Sequence, residues 1–188
     1  MTSEEVIELL TEVGAISMGH FVLSSGRHSD FYVEKFRALE RPDVAMHLGA
    51  VIAERFRDDK IDVVLAPAVG AIVLGFATAH SLGARSIFAE REGGVLTLRR
   101  GFVIYSDEKV LVVEDIITTG RSLREILPLA APGDLTGIGA IVDRSIGGEE
   151  WPARFEALAT LDAVSWPSDE CPLCAQGIPT DAPGSRHL

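Results

Sequence analysis

The fold of this chain is decided by the stretch Val110-Leu111-Val112-Val113-Glu114-Asp115-Ile116-Ile117-Thr118-Thr119-Gly120-Arg121-Ser122. Apolar, strand-type residues run into two adjacent carboxylates, and a Thr-Thr-Gly-Arg-Ser turn then opens a helical pattern. Carboxylates at a strand end can accept hydrogen bonds from vicinal hydroxyls, and hydroxyls with backbone N–H groups at a helix N-terminus bind anions. The stretch therefore predicts a sugar-phosphate site; the alternative is a solvated strand end followed by an ordinary helix cap.

Strands and helices alternate on both sides of this stretch. Helices are predicted over residues 3–14, 42–57, 70–82 and 122–129, and strands over 61–66, 85–89, 110–113 and 137–142, after two short strands around a Ser-Gly turn within 19–33. This order predicts an α/β fold with a central, mostly parallel sheet flanked by helices. Ligands bind outside the carboxyl ends of such strands, so residues 67–70, residues 114–122 and Arg144 are expected at one functional edge.

Length and composition describe one ordinary globular domain. The chain has 188 residues, 47% hydrophobic and 24% charged, enough for a single core. The net charge of -11 argues against nucleic acid as a partner, because phosphate-backbone binding needs a basic surface. An anionic ligand then requires local cations, and the arginines near the proposed site in sequence are Arg91, Arg99, Arg100 and Arg121.

No targeting or membrane segment is expected. The N-terminus is acidic where a secretory signal would be basic, so a cytoplasmic protein is predicted. The nearly uncharged run over residues 63–79 contains Pro67, Gly70 and Gly75, which favour a short strand, a loop and a helix over a membrane span.

The two cysteines, Cys171 and Cys174, stand in a Cys-Pro-Leu-Cys motif near the C-terminus. One Cys-x-x-Cys supplies half of a structural zinc site, and no histidine lies nearby at metal-binding spacing. Three interpretations stay open: two thiols in a tight turn, a zinc site completed across a dimer, or a redox pair.

The opening stretch resembles the signature of the type I phosphoribosyltransferases, which bind 5-phosphoribosyl 1-diphosphate (PRPP). The resemblance implies that fold with a small N-terminal hood, and that Glu114 and Asp115 hold the ribose hydroxyls as the catalytic acidic pair. It also implies a 5′-phosphate loop formed by Thr118, Thr119, Gly120, Arg121 and Ser122.

The N-terminal segment is similar to the hood of the orotate phosphoribosyltransferases, and its residues Gly19, Phe21, Leu23, Ser25, Gly26, Ser29 and Phe31 fill the places of that pattern. Residues 142–144 resemble the family's Asp-Arg element, and residues 66–70 its diphosphate loop. The resemblance implies an orotate site formed by Ser25, Gly26, Lys35, Thr118 and Arg144. Arg144 is favoured for the orotate carboxylate, because a guanidinium can hold a carboxylate through two parallel hydrogen bonds.

Three departures from that pattern concern cations. Ser24 and Gly70 stand where well-known orotate enzymes carry lysines, and residues 90–102 form only a short Gly-Gly hairpin in place of a longer mobile loop. Val69, Gly70 and Arg91 are still expected at the diphosphate, and Lys35 is a candidate replacement for the hood lysine. The chain resembles a short-loop bacterial subgroup that also ends in a Cys-Pro-x-Cys tail, here residues 171–186.

The resemblance implies that a ring nitrogen of orotate displaces diphosphate from ribose C1′, giving orotidine 5′-monophosphate. Mg²⁺ is the expected cofactor, held mainly through PRPP oxygens, and a homodimer is the expected assembly. Two alternatives stay open: a phosphoribosyltransferase for a purine or other base, and a non-catalytic PRPP-sensing regulator. The expected organisation is one domain, with residues 1–40 contributing the hood, 41–145 the PRPP-binding core and 146–188 a C-terminal extension near the active-site mouth or a dimer contact.

Overall fold

A computed structural model describes residues 1–23, 25–145, 150–161 and 164–183. Its main sheet has six strands in the order β5-β4-β3-β6-β7-β8. Neighbouring strands from β4 to β8 run parallel, and β5 is the antiparallel edge strand. The strands are β3 (Val63–Pro67), β4 (Arg85–Glu92), β5 (Val95–Leu98), β6 (Lys109–Ile117), β7 (Asp134–Asp143) and β8 (Arg154–Thr160).

Helices cover both faces of this sheet. The α-helices of the described residues are α1 (Ser3–Glu12), α2 (Phe36–Leu39), α3 (Pro42–Arg55), α4 (Ile72–Leu82), α5 (Arg121–Ile126) and α6 (Pro172–Ala175), of which α6 lies in the C-terminal segment away from the sheet core. Successive strand side chains point to opposite faces, so Val64 and Leu111 join the core beneath α1, α3 and α4, whereas Val63 and Val110 join the core on the α5 face. The central strands β3 and β6 are therefore buried on both sides, as their apolar runs in the sequence predict.

Close packing of α3 on the sheet depends on glycine in β7. A Cβ atom at Gly137 would lie 2.3 Å from Phe56 Cε1, and one at Gly139 would lie 2.7 Å from Ile52 Cγ2. Phe56 and Ile52 are fully buried. The two glycines thus let large side chains at the end of α3 reach the strand backbone, which fixes the helix against the centre of the sheet.

The hood is a separate antiparallel pair, β1 (Ile16–Val22) and β2 (His28–Val33). The C-terminal segment pairs with both of its edges. Val22 N–H donates to Asp181 O at 2.8 Å on one edge, and His28 and Trp166 exchange backbone hydrogen bonds of 2.8 and 2.9 Å on the other. Residues 164–181 therefore wrap around the hood hairpin.

Most elements predicted from the sequence are present, and two differences matter. The predicted strand 110–113 extends to Ile117, so the acidic pair lies inside β6 instead of at its end. Strand β8 was not predicted, although it joins the sheet beside β7. The uncharged run 63–79 forms β3 and most of α4 as predicted, and no helix of the described residues is long and apolar enough to cross a bilayer.

Candidate active site

The acidic pair is buried at the carboxyl-end half of the central strand β6. Glu114 is 6% exposed and Asp115 is 1% exposed. Pairing with β7 fixes the strand as far as Ile117, and the chain then turns into α5. A strand hydrogen-bonded on a neighbour holds both carboxyl groups rigidly, next to the loop that the sequence assigns to phosphate.

Burial changes the protonation of this pair. Loss of hydration, and secondly the charge of Asp115, raise the pKa of Glu114 from its ordinary 4.5 to about 8. Glu114 Oε1 accepts the backbone N–H of Asp115 at 3.1 Å. Near neutral pH the folded protein therefore keeps a proton on Glu114, whereas Asp115 forms an ion pair with Lys35.

Glu114→Gln should change how stability depends on pH. The folded pKa lies above the unfolded one, so between pH 4.5 and about 8 the wild-type protein loses stability as pH rises. The glutamine variant lacks this slope and should gain, relative to wild type, on the order of a few kcal/mol from about pH 5 to about pH 9. Urea unfolding at the two pH values measures it, with Glu8→Gln on the exposed side of α1 as the control. Parallel profiles for wild type and Glu114→Gln would contradict the buried-acid assignment.

Lys35 and Gly70 complete the surroundings of Asp115. Lys35 Nζ lies 2.7 Å from Asp115 Oδ2, and Asp115 Oδ1 accepts the N–H of Ile116 at 2.6 Å. A Cβ atom at Gly70 would lie 2.0 Å from Asp115 Oδ2 and 2.6 Å from Lys35 Nζ. A side chain at residue 70 would meet the Asp115 carboxylate first and the Lys35 ammonium group next, so glycine leaves this space to the Lys35–Asp115 pair.

The predicted phosphate loop forms one cleft with Glu114. The side chains and backbone of residues 116–123 line it together with Glu114. Gly120 has a φ of 66° and directly precedes α5, a left-handed conformation that glycine adopts without strain. Thr118 and Thr119 are exposed and available to a ligand. The structure thus brings the five loop residues and the first carboxylate together at one edge of the sheet.

Arg91 and Arg121, the arginines expected to bind the diphosphate and the 5′-phosphate, both pair with Glu125. The sequence analysis did not identify this residue. Arg91 Nη2 lies 2.6 Å from Glu125 Oε2, and Arg121 Nε donates to Glu125 Oε1 at 2.8 Å. The spacing of Arg121 and Glu125, four residues apart on a helix, was the available signal. Arg99 and Arg100 pair with Glu92 and Glu90 in the hairpin. All four arginines therefore have acidic partners.

Arg144 meets the hood. Its guanidinium lies 4.7 Å from the ring centroid of Phe31 in β2, and its Nε is buried with no hydrogen-bond acceptor among the described residues. Burial lowers the pKa of Arg144, yet a guanidinium stays charged at neutral pH. A half-buried cation whose Nε has no acceptor among the described residues, and which lies beside an aromatic ring, suits a planar anion.

The remaining predicted residues have less defined surroundings. Ser25 and Gly26 lie at the exposed hairpin tip, where Arg27 N–H donates to Ser25 Oγ at 3.5 Å. Val69 is 73% exposed after β3. The structure does not bring Ser25 or Gly26 into the contacts around the acidic pair described above, so their orotate role stays a prediction. Ser24 and the last five tail residues lie outside the described residues.

Comparisons with known proteins agree with this geometry. A model of the phosphoribosyl transferase domain matches residues 37–171. The orotate phosphoribosyltransferase of Pelotomaculum thermopropionicum is 46% identical over the full length of both chains, and that of Thermotoga maritima is 43% identical over 96% of this chain and 98% of its own. The crystal structure of orotate phosphoribosyltransferase from Aeropyrum pernix superposes with a TM-score of 0.67 at 26% identity, covering 83% of this chain and 93% of that one. The chain has the type I phosphoribosyltransferase fold and belongs to the orotate phosphoribosyltransferases.

Proposed function

We propose that this chain transfers the 5-phosphoribosyl group of PRPP to orotate, releasing diphosphate and forming orotidine 5′-monophosphate for pyrimidine biosynthesis. One observation carries the proposal: Glu114 of the buried acidic pair in β6 lines the small cleft that the predicted phosphate loop forms at the start of α5. The full-length similarity to orotate phosphoribosyltransferases supports orotate over a purine, and supports an enzyme over a PRPP-sensing regulator.

Asp115 and Glu114 bind the ribose in this proposal. The ionised carboxylate of Asp115 accepts a hydrogen bond from one ribose hydroxyl, and the protonated carboxyl of Glu114 donates to or accepts from the other. The bond from C1′ to diphosphate breaks as the bond from C1′ to the orotate nitrogen forms, so diphosphate leaves with the bonding electron pair and the proton of the ring N–H passes to diphosphate or to solvent. Fixed carboxyl groups lower the barrier by orienting the sugar and by stabilising its developing positive charge.

Gly120→Ala should raise the KM for PRPP by about tenfold and leave the KM for orotate nearly unchanged. The 5′-phosphate is remote from the base, and a methyl group would hinder its approach to the loop backbone. Gly83→Ala is the matched control, because Gly83 has a φ of 70° at the end of α4, close to the 66° of Gly120. Steady-state kinetics in both substrates measures the effect. Equal rises in both KM values, or the same rise in the control, would argue against a phosphate loop.

The position of Lys35 favours PRPP over orotate as its ligand. Lys35 Nζ lies against Asp115 and beside Gly70, the position at which the family resemblance implies a lysine of the diphosphate loop. We expect Lys35→Met to raise the KM for PRPP by roughly tenfold, because the variant loses the binding free energy of one hydrogen bond to a charged group. Lys60→Met is the control, since Lys60 lies in the turn before β3. A rise confined to the KM for orotate would restore the sequence-based assignment of Lys35 to the base.

Mg²⁺ is part of the proposed activity. Among the described residues, Glu114 and Asp115 are the buried carboxyl groups beside the phosphate loop, and Asp115 pairs with Lys35. Because Glu114 keeps its proton and Asp115 is paired, this set fits a hard ion that would be held mainly by substrate oxygens. When bound, the ion supplies positive charge to the departing diphosphate. The chain's own part is to hold the ribose and to keep Arg91 and Arg121 near the anions through Glu125.

A homodimer in the cytoplasm is proposed as the working form. Val69, Val73 and Phe76 are 73%, 45% and 59% exposed, and the last two lie three residues apart on one face of α4. Burial against a second copy would remove this apolar surface from water. The free thiols of Cys171 and Cys174 suit a reducing compartment. Sedimentation of the purified protein measures the assembly.

The test of the activity is release of diphosphate that requires both PRPP and orotate. The assay should be run with Mg²⁺ titrated from zero, and the nucleotide product identified by mass. The proposal expects activity that appears with Mg²⁺ and saturates. Diphosphate release without orotate would overturn the proposed transfer to orotate. Activity that does not depend on an added divalent cation would overturn the proposed Mg²⁺ requirement.

A further inference from the structure

Two histidines of the hood strands and two cysteines of the C-terminal segment lie close together. His20 lies in β1, His28 begins β2, and Cys171 and Cys174 flank the start of α6. One ligand atom from each residue lies within 4.8 Å of the other three. His20, His28 and Cys171 are buried, at 3%, 8% and 3% exposure. None of these residues takes part in the proposed transfer reaction.

Three sulfur–nitrogen distances in this cluster are close to those of a tetrahedral zinc site. His20 Nε2 lies 3.5 Å from Cys171 Sγ and 3.7 Å from Cys174 Sγ, and His28 Nδ1 lies 3.3 Å from Cys174 Sγ. Zinc bond lengths of about 2.3 Å to sulfur and about 2.05 Å to nitrogen give tetrahedral edges of about 3.6 Å between sulfur and nitrogen and about 3.3 Å between nitrogens. The two ring nitrogens are 2.8 Å apart, so binding requires them to separate by about half an ångström.

A hydrogen bond from Nδ1 of His20 determines that Nε2 of the same ring faces the cluster. His20 Nδ1 lies 2.7 Å from the carbonyl oxygen of Ile178, and a carbonyl only accepts, so Nδ1 carries the proton. The lone pair of Nε2 in the neutral ring then points at the two sulfur atoms. A hydrogen bond from the far nitrogen to a carbonyl is the usual way in which proteins orient a metal-binding histidine.

We propose that His20, His28, Cys171 and Cys174 form a structural Zn²⁺ site that fastens the C-terminal segment to the hood. Two thiolates and two imidazoles in tetrahedral arrangement select zinc among common divalent ions. All four ligands come from one chain, so the site needs no dimer. It also gives the Cys-x-x-Cys motif the histidine partners that the sequence leaves unidentified.

The C-terminal segment needs such a fastening. Within the described residues 164–183, only Cys171 is buried, so this part has almost no apolar core of its own. Short segments with little buried surface commonly depend on a metal or disulfide for stability. The same segment holds β2 through Ser29 Oγ, which donates to Val164 O at 3.0 Å. Zinc would therefore also steady Phe31, the hood residue that contacts Arg144.

The first test is metal content. Protein without a polyhistidine tag, purified in a non-chelating reductant, should contain on the order of one zinc per chain by mass spectrometry. Cys174→Ser should lose it; this exposed position is the least disruptive to change. His28→Gln should lose it too, whereas His80→Gln, an exposed histidine of α4, should keep it. Zinc-free protein that takes up no added zinc, or equal zinc in Cys174→Ser and His80→Gln, would overturn the proposal.

Two further measurements test the ligand set of the metal and its role in fastening the C-terminal segment. Co²⁺ in place of zinc should give the visible absorption of a tetrahedral ion with thiolate ligands, absent from Cys174→Ser. Removal of zinc should accelerate proteolysis of residues 164–183 relative to the main domain. An octahedral Co²⁺ spectrum would contradict the ligand set. Unchanged protection of the segment after zinc removal would contradict its role as a fastening.

Discussion

Asp115→Asn should lower turnover by at least about tenfold and leave the domain folded. Asparagine has nearly the same shape, so β6 and its pairing should persist. The change removes the ionised acceptor for the ribose hydroxyl and places an amide beside Lys35, which lies 2.7 Å from the carboxylate in the native protein. The effect should fall on turnover, because the ribose interaction strengthens as positive charge develops at C1′.

The control for this variant is Asp62→Asn. Asp62 Oδ2 accepts the N–H of Lys109 at 2.9 Å. Lys109 begins β6, so this contact lies at the opposite end of the strand from the acidic pair. Circular dichroism and thermal unfolding establish that both variants are folded, and steady-state kinetics compares them. Wild-type turnover in Asp115→Asn, or an equal loss in Asp62→Asn, would remove the acidic pair from the mechanism.

Arg144→Ala should lower kcat/KM for orotate by about 10- to 100-fold, the loss of a charged hydrogen bond to the substrate carboxylate. The native guanidinium is half-buried, lies 4.7 Å from the Phe31 ring and has a buried Nε without an acceptor among the described residues. A carboxylate from the substrate would satisfy that group. Arg144→Lys should fall between wild type and alanine, because it keeps the charge but loses the planar pair of donors.

Uracil separates this role from a structural one. Uracil lacks the carboxylate, so any residual rate with uracil should change little in Arg144→Ala, and the preference for orotate should collapse. A parallel loss for both bases would show that Arg144 only supports the hood through Phe31. An unchanged rate with orotate would assign the carboxylate to another residue.

Local sequence patterns predicted the central strand and its candidate site residues where all of them lie in one continuous stretch. Residues 110–122 predicted the buried strand, the acidic pair and the phosphate loop, and the fold and family are confirmed. The extent of β6 was underestimated, since two carboxylates are unusual inside a strand and are tolerated here through Lys35 and the backbone N–H of Ile116. That compensation comes from tertiary contacts, which a local pattern does not contain.

The histidine–cysteine cluster shows why the rest was not predictable. His20 and Cys171 are separated by 151 positions, so a search for nearby ligands around Cys-x-x-Cys finds nothing. Two histidines on facing strands of the predicted hood hairpin were the available signal, because such residues lie close across an antiparallel pair. Strand β8 was missed for a related reason: Pro152 and the short alternation after it gave a weak pattern, and pairing with β7 supplies the stability.

The most direct test of the account is an ultraviolet assay of the purified protein with PRPP and Mg²⁺, run in parallel with orotate, uracil, adenine, guanine and hypoxanthine. The acidic pair, the cleft of the phosphate loop and the Arg144 guanidinium beside Phe31 together predict rapid consumption of orotate and little or none of the other four bases. Consumption of a purine in preference to orotate, or of no base at all, would contradict the proposed function.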